Sequence, residues 1–448
     1  MTGTIRLIRS PISVAGMVLT TISAVSFLVV FFADLFGLHT NPYIGIVFFL
    51  VLPGLFLIGL LLIPLGAWVE RRRRAAGKAP ASASWPRIDL NDPAQRTTAV
   101  IVVVLTIANV VIVSLGAYRG VEYMDSVQFC GQACHTPMKP EFVAHQAGAH
   151  ANVPCVECHV GRGASSFAQA KLAGTRRLLA VARTNYPRPI VASAAQLLPA
   201  SDTCEQCHWP QQFHGDKVKR IAEYADDEKN TESVTTLRLH VGGGDGRRGL
   251  ATGIHWHMNV ANAIEFVATD QERQQIPYVR MTDRDGAVRE YLAEGATPAV
   301  IATGARHRMD CTDCHNRPSH AIAATAERAV NEAIAEGSIP RTLPFVRREA
   351  VKVLAAGYPS EDAAAAEVSR ALRAFYPSAR ADVDHAVQSV QAIYRRNVFP
   401  EMHVRFGTYP NNIGHVDSPG CFRCHDDNHK TNDGRKISQD CETCHSIE

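Results

Sequence analysis

Three long apolar runs occupy the first quarter of the chain, over residues 11–32, 43–68 and 97–118. None of them contains a charged side chain. A helix needs about 20 apolar residues to cross the hydrocarbon core of a bilayer, so this pattern predicts three transmembrane helices. Buried helices of a soluble domain are the alternative, which is disfavoured because uncharged runs of this length are rare in such domains.

The basic residues around these runs predict an orientation. Arg6 and Arg9 precede the first run, seven Lys and Arg residues lie between the second and third, and the loop between the first two has none. The positive-inside rule therefore places the N-terminus and the Arg-rich linker, residues 71–96, in the cytoplasm. Everything after the third run is then expected in the periplasm of a bacterium. The first run is interpreted as an uncleaved anchor because no clear cleavage site follows it.

Beyond the membrane segments, short stretches of alternating polar and apolar residues predict strands at 235–241, 264–269, 276–282 and 287–292. The last two flank Asp283-Arg284-Asp285-Gly286, a good hairpin turn, so we expect a small antiparallel β insertion at about 234–295. Residues 321–397 instead have helical spacing interrupted by prolines, and they predict three or four short helices that form a spacer or a docking surface.

All twelve cysteines fall into six pairs, and a histidine directly follows each pair. The pairs are Cys130 with Cys134, Cys155 with Cys158, Cys204 with Cys207, Cys311 with Cys314, Cys421 with Cys424, and Cys441 with Cys444; the histidines are His135, His159, His208, His315, His425 and His445. Two thiols and an adjacent imidazole suit a c-type haem, with the thiols bonded to its vinyl groups and the imidazole beneath its iron. Zinc is the alternative, but a zinc site does not require that histidine.

The motifs therefore predict six covalently bound c-type haems. The formal charge of +3 would become negative with about twelve propionate charges, so a nucleic acid is not an expected partner. The fold class expected is mainly α: three N-terminal transmembrane helices, then a periplasmic multihaem domain with little regular structure, a small antiparallel β subdomain and a helical spacer. The expected divisions are a two-helix anchor (1–70), a basic linker (71–96), a third span (97–120), a tetrahaem domain (121–320), a spacer (321–400) and a dihaem module (401–448).

A low-spin haem needs a second axial ligand, and twelve histidines outside the motifs lie beyond the third span. We expect about half of them to be ordinary surface or capping residues, and His240 and His385 to be non-ligands. His255 or His257 is expected on the fourth haem, and the other of the two is a candidate for the first. His415 and His429 flank the fifth motif and are expected to serve the fifth and sixth haems, with His403 in reserve.

Three features together resemble the NapC/NirT family of membrane-anchored quinol dehydrogenases: a transmembrane helix that runs into Phe129-Cys130, a histidine before the second motif, and four closely linked motifs. The resemblance is closest to longer relatives with extra C-terminal haems. It implies that His150 is the distal ligand of the third haem and His320 that of the second. It also implies that Met138 ligates the first haem, although it stands one residue further from the motif than is usual, and that Lys171 lies near the quinol.

The first haem is predicted to lie nearest the bilayer, where a quinol can reach it, and a proton acceptor should lie beside it. Asp125 and Glu141 are candidates for that acceptor, with Lys171. The leading hypothesis is a multi-pass protein of the bacterial inner membrane that oxidises menaquinol or ubiquinol from the membrane quinone pool. Its electrons would pass through the haems to a periplasmic cytochrome or reductase. The alternatives are a terminal reductase of a small nitrogen compound and an electron-wire subunit of a larger complex.

Overall fold

The computed structural model describes residues 10–35, 51–73, 76, 89–133, 135–160, 164–191, 198–209, 213, 215–242, 253–258, 263–283, 285–378 and 380–448. The chain divides into two compact units, Met1–Ala133 and Cys134–Glu448.

The first unit is built from three long helices. They are α1 (Pro11–Leu35), α2 (Leu52–Arg73) and α3 (Pro93–Met124), and a short π-helical segment (Phe129–Ala133) follows them. The stretches Pro11–Val29 and Leu52–Arg73 are long and apolar enough to cross a membrane, which agrees with two of the three predicted spans. α3 begins at a capped turn, in which Asp92 accepts a hydrogen bond from the Ala94 amide. The third crossing stays a prediction, and several α3 side chains lie outside the described residues.

Small side chains let α1 and α2 pack closely. A Cβ atom at Gly59 would collide with Thr20 of α1, and one at Gly66 would collide with Ser13. The Ser13 hydroxyl donates to the Ile63 carbonyl at 3.0 Å. Close backbone approach at small residues and hydroxyl bonds between helices are the usual means of helix association within a bilayer.

The second unit contains two small antiparallel sheets. The first has the strand order β1-β2-β7, from β1 (Asp216–Tyr224), β2 (Glu232–His240) and β7 (His445–Ile447). The second has the order β5-β4-β3-β6, from β3 (Ala263–Ala268), β4 (Tyr278–Thr282), β5 (Val288–Leu292) and β6 (Ala305–Arg308). Small antiparallel sheets were expected, but as one subdomain, and β1 was missed. Most β1 side chains are exposed and charged, so its sequence lacks the alternation that marks a half-buried strand.

The strand register brings the C-terminus onto the middle of the chain. In the first sheet Asp216 pairs with His240, and Leu239 pairs with His445 of the last motif. In the second sheet β4 and β5 form the predicted hairpin, in which Thr282 pairs with Val288. β2 therefore connects the segment after the third motif with the sixth motif.

Short helices precede and follow the sheets. They are α4 (His135–Gln146), α5 (Cys155–His159), α6 (Ala164–Ala182), α7 (Pro298–Thr303) and α8 (Cys311–Cys314), with single 3-10 turns at Ala200–Asp202, Cys204–Gln206, Ile254–Met258, Pro400–Met402, Gly420–Arg423 and Cys441–Thr443. Most of the motifs lie on these one-turn pieces.

The predicted helical stretch forms four helices with a shared apolar core. They are α9 (Ala326–Ala335), α10 (Val346–Ala355), α11 (Glu361–Phe375) and α12 (Arg380–Asn397). Val330, Val346, Val368 and Val390 have no exposed surface. Ser360 caps α11 by accepting a hydrogen bond from the Ala363 amide. The prediction of three or four short helices is thus confirmed, and the segment is a packed helical bundle.

Candidate haem sites

Each CxxCH motif winds into one helical turn, which places its two thiols and its imidazole close together. The amide of the motif histidine donates to the carbonyl of the first cysteine at 2.8 Å in the third and fourth motifs and at 3.0 Å in the fifth, for His208, His315 and His425. The first motif differs, since Cys130 lies in the π-helical segment Phe129–Ala133. Cys134 and the side chain of His135 lie outside the described residues.

Five motif histidines each face a second imidazole from elsewhere in the chain. The ring centroids lie 6.1 Å apart for His159 and His320, 6.1 Å for His150 and His208, 6.4 Å for His255 and His315, 5.7 Å for His257 and His425, and 6.1 Å for His415 and His445. Every motif from the second to the sixth therefore has one imidazole partner.

These distances fit a metal ion between two imidazoles. A metal–nitrogen bond of about 2 Å on each side, plus about 1 Å from each nitrogen to its ring centroid, gives a centroid separation of roughly 6 Å. Among the described residues no group of three or more His, Cys, Asp and Glu side chains is arranged to hold a metal ion, whereas a tetrahedral zinc site needs three or four such ligands. The donor set suits an iron in a porphyrin plane, which needs only two axial ligands.

Backbone carbonyls orient the imidazoles that face the motif histidines. The Nδ1 atom lies 3.2 Å from the Pro318 carbonyl in His150, 3.0 Å from the Glu141 carbonyl in His320, and 3.1 Å from the Val241 carbonyl in His255. A carbonyl only accepts, so Nδ1 carries the proton and the lone pair is on Nε2. A metal-binding histidine is commonly held by such a bond from its other nitrogen.

The motifs lie beside one another in chain order. Burial raises the pKa of the Cys158 thiol, and Cys204 of the third motif raises it further. A hydrogen bond with Cys311 of the fourth motif lowers the pKa of Cys204 to about 6. Burial raises the pKa of Cys424 to about 12, and Cys314 of the fourth motif acts in the same direction.

The fifth and sixth motifs continue this row. Burial raises the pKa of the Cys444 thiol, and Cys421 of the fifth motif raises it further. The sequence had suggested two separate groups, motifs one to four and then five and six. The side chains instead connect motifs two to six without a break.

His429 occupies a different environment from the paired histidines. It is 2% exposed, its Nδ1 lies 2.9 Å from an Asp426 carboxylate oxygen, and its Nε2 lies 2.7 Å from the Ile276 carbonyl. Both ring nitrogens therefore have hydrogen-bond partners. This geometry favours a structural role for His429 over the expected role as an axial ligand.

Several other histidines have different surroundings, and the ring of His145 lies 6.2 Å, centroid to centroid, from that of His320, which also faces His159. His240 pairs with Asp216 across β1 and β2 at 3.0 Å, as suits a non-ligand, and His385 is exposed on α12. His145 is buried, with Nε2 3.0 Å from the Val153 carbonyl. His403 is exposed in the left-handed conformation that ends the turn Pro400–Met402.

The candidates for a quinol site are spread over several elements. Glu141 lies on α4, where its carboxylate accepts from the Arg317 guanidinium at 3.1 Å and lies 3.2 Å from Nδ1 of His320. Its position suits an orienting residue beside the second motif better than a proton acceptor beside the first. Asp125 caps the end of α3, Met138 lies on α4, and Lys171 lies on α6 with its side chain outside the described residues.

A comparison with curated proteins found a relative of nearly equal length. The cytochrome c-type protein ImcH of Geobacter sulfurreducens is 39% identical over 449 aligned residues, which cover 98% of this chain and 88% of the relative. The chain belongs to the ImcH family of cytochrome c-type proteins. No family model matches the chain, and no solved structure matches it. The motif pattern and the imidazole pairs agree with membership of a family of c-type cytochromes.

Sequence reasoning missed two features of these sites. His257 lies beside His425, 168 residues further along the chain, and had been considered only for the fourth or first haem. Arg317 was not singled out, although it holds Glu141 and donates to the His320 carbonyl at 2.8 Å. Neither contact leaves a local signal in the sequence, because both depend on how distant segments pack. The contact of His257 with His425 could have been predicted only if Ile254–Met258 had been interpreted as a helical turn.

Proposed function

We propose that the chain is a membrane-bound hexahaem cytochrome c that oxidises menaquinol or ubiquinol at the periplasmic membrane surface. Its electrons would pass along the haems to a periplasmic cytochrome or reductase. The observation that carries this proposal is the set of imidazole pairs that span the distance of two metal–nitrogen bonds. When bound, the haem irons would supply the electron-carrying chemistry, and the chain would supply attachment, axial ligands and spacing.

Histidine at both axial positions favours electron transfer over catalysis at a haem. In the pairs His159–His320, His150–His208, His255–His315 and His415–His445, the two imidazoles would hold a bound iron between them. A terminal reductase requires an open axial position for its substrate. The pairs leave none among these four motifs, so the reductase is the weaker candidate.

The order of the motifs supports a conduit. The thiols of motifs two to six interact in sequence from one motif to the next, so attached haems would form a row. In such a row each haem has one neighbour on either side. An electron that enters near the first motif would then leave near the sixth.

The apolar helices support a membrane location for the entry point. α1 and α2 are apolar enough to span a bilayer, and the exposed apolar side chains of α3 suit contact with lipid, for example Val103, Ile107 and Val111. The first motif follows α3 after a few residues, so its haem would lie near the bilayer edge. Asp125 and Lys171 remain the candidates for the quinol proton acceptor.

The test is anaerobic titration of the purified, haem-loaded protein with a menaquinol analogue, following the reduced α-band. We expect rapid reduction that a quinol-site inhibitor suppresses. Lys171→Met should slow this reduction by about a hundredfold, the lower end of the range for loss of a proton-transfer group. Arg176→Met is the matched control, since Arg176 is an exposed cation on the same helix, and it should leave the rate unchanged.

Two other outcomes would change the assignment. Reduction by dithionite alone, together with copurifying subunits, would favour an electron-wire subunit without a quinol site of its own. A high-spin haem in the unmodified protein that binds nitrite or hydroxylamine would favour a terminal reductase.

A further inference from the structure

The five-residue 3-10 turn Ile254–Met258 directs two imidazoles at two different motifs. His255 faces His315 of the fourth motif with nearly parallel rings, at an interplanar angle of 1°. His257 faces His425 of the fifth motif with nearly perpendicular rings, at 79°. A 3-10 helix has about 3 residues per turn, so side chains two positions apart diverge by about 120°. In a strand they would have pointed the same way.

The contact between His257 and His425 brings two metal-binding nitrogens together. Nδ1 of His257 lies 2.8 Å from the Ile254 carbonyl, and Nδ1 of His425 lies 2.7 Å from the Ser438 carbonyl. Because a carbonyl only accepts, both rings carry their proton on Nδ1. The two Nε2 atoms, 3.5 Å apart, then face each other with their lone pairs and no proton between them. A metal ion bound between them would remove this repulsion, with a small increase in their separation, since two metal–nitrogen bonds of about 2 Å need about 4 Å.

Contacts with both sheets hold the turn in place. The His255 amide donates to the Val241 carbonyl at 3.0 Å, which ties the turn to the end of β2. Gly253 precedes the turn with φ +80°, and a Cβ atom there would collide with the His240 carbonyl, so only glycine fits. Trp256 packs against the apolar core of the second sheet, beside Phe266. These contacts hold the backbone between the two histidines.

The fourth and fifth motifs also contact each other directly beneath this turn. Arg423, inside the fifth motif, donates to the Asp313 carbonyl of the fourth motif at 2.7 Å and to the Arg273 carbonyl at 2.8 Å. Asn412 donates to the same Asp313 carbonyl at 2.9 Å. These bonds fix the spacing of the two motifs that the turn would ligate.

We propose that this one turn supplies the distal ligands of two haems, His255 to the haem of the fourth motif and His257 to the haem of the fifth. It would thereby join the N-terminal group of haems to the C-terminal pair. This inference rests on the proposed function only in that both motifs carry haem, and it does not depend on the electron donor.

The test compares His257→Ala with His429→Ala in the full-length, haem-loaded protein. The intact mass should show the same number of haems in both variants and in the parent, since attachment needs only the cysteines. His257→Ala should create one high-spin ferric haem and, after reduction, one haem per chain that binds carbon monoxide. His429→Ala should create none.

Electron paramagnetic resonance shows which class of haem has changed, the nearly perpendicular or the nearly parallel one. Nearly perpendicular axial imidazoles give a far more anisotropic low-spin signal than nearly parallel ones. Two of the described pairs are nearly perpendicular, at 76° for His150–His208 and 79° for His257–His425. His257→Ala should remove one of these two signals, whereas His255→Ala should remove a nearly parallel one.

The results that overturn the proposal are equally distinct. Wholly low-spin His257→Ala protein that binds no carbon monoxide, or a carbon monoxide site created by His429→Ala, would show that another group ligates the fifth haem. If His257→Ala does not fold, His257→Met keeps the test decisive, since a methionine ligand should retain the low-spin state and raise one haem potential. Unchanged potentials would overturn the proposal. A parent that carries all its haems but is not reduced by quinol would sink the proposed quinol oxidation alone.

Discussion

The helical bundle and the haem-motif region of the same unit are stabilised in different ways. The bundle, α9 to α12, has a continuous core in which side chains such as Val330, Val368 and Leu372 are at most 1% exposed. Among the residues that the structure describes, the segments around the motifs have two small apolar clusters, and the exposed motif cysteines are Cys158, Cys207, Cys421 and Cys441. The bundle core consists of its own side chains together with Tyr224 of β1, whereas the motif region has polar anchoring and would gain buried area from covalently bound haem.

The difference follows from composition. Residues 326–397 supply apolar side chains at helical spacing, so that adjacent helices can bury a shared face. The motif region instead has cysteines, histidines and the glycines and prolines of its turns at many of its positions. Buried apolar surface contributes about 25 cal/mol per Å², so a region with few buried apolar side chains needs another source of buried area. Covalently bound haem would supply it.

The largest predicted effect comes from making the chain without haem attachment. We expect trypsin to cleave first within residues 198–242 and 401–448, and the fragment 326–397 to survive about tenfold longer or more, which corresponds to about 1.4 kcal/mol or more in local opening. Limited proteolysis with mass spectrometry gives the order of cleavage. The haem-loaded protein is the control, and both regions should resist there. Equal cleavage rates in the haem-free chain would remove the distinction between the two regions.

A core truncation in the bundle tests the other half of the comparison. Leu372 is 1% exposed, so Leu372→Ala should lower the free energy of unfolding of the bundle by about 2–5 kcal/mol through lost burial and a cavity. Denaturant unfolding followed by circular dichroism measures this loss. The haem absorption spectrum should stay the same.

The matched control for that truncation is Arg370→Ala. Arg370 lies on the same helix but is exposed, in an ion pair with Glu367, so its removal should change stability little. A large change in the haem spectrum of Leu372→Ala would contradict the independence of the two regions.

The parts predicted well from sequence are those specified by local patterns. The apolar runs of α1 and α2, the hairpin of β4 and β5 and the four bundle helices follow from spacing and turn residues. The six motifs are equally local. The relative named above supports their interpretation as c-type haem sites.

The partners of the motif histidines depend on long-range packing and were only partly predicted. The structure brings together His150 with His208 and His320 with His159, the pairs that the family resemblance implies. His257 was assigned otherwise because its segment was treated as extended, and β1 and the pairing of β7 were missed because no alternation marks them. A short turn between distant strands leaves no periodic signal in the sequence.

The smallest predicted effect tests the polar anchoring of the motif region at one residue. Glu141 accepts from Arg317 at 3.1 Å and lies 3.2 Å from Nδ1 of His320, with only 15% of its side chain exposed. A carboxylate there favours the oxidised state of an iron that His320 ligates, because negative charge stabilises the more positive metal. Glu141→Gln keeps the shape of the side chain but removes its negative charge. It should therefore raise the reduction potential of one haem, by about 59 mV for each tenfold change in the preference of its iron for the oxidised state.

Spectroelectrochemical titration of the haem-loaded protein measures this shift, and Glu157→Gln is its matched control. Glu157 carries the same carboxylate group and lies within the second motif itself. Its side chain is exposed, so the solvent screens its charge. If the haem potential shifts more in Glu141→Gln than in Glu157→Gln, the effect comes from the contact with His320. Equal shifts would mean that only the change in the overall charge of the protein matters. In the first case a single buried polar contact tunes the motif region, whereas the stability of the bundle is spread over many apolar contacts.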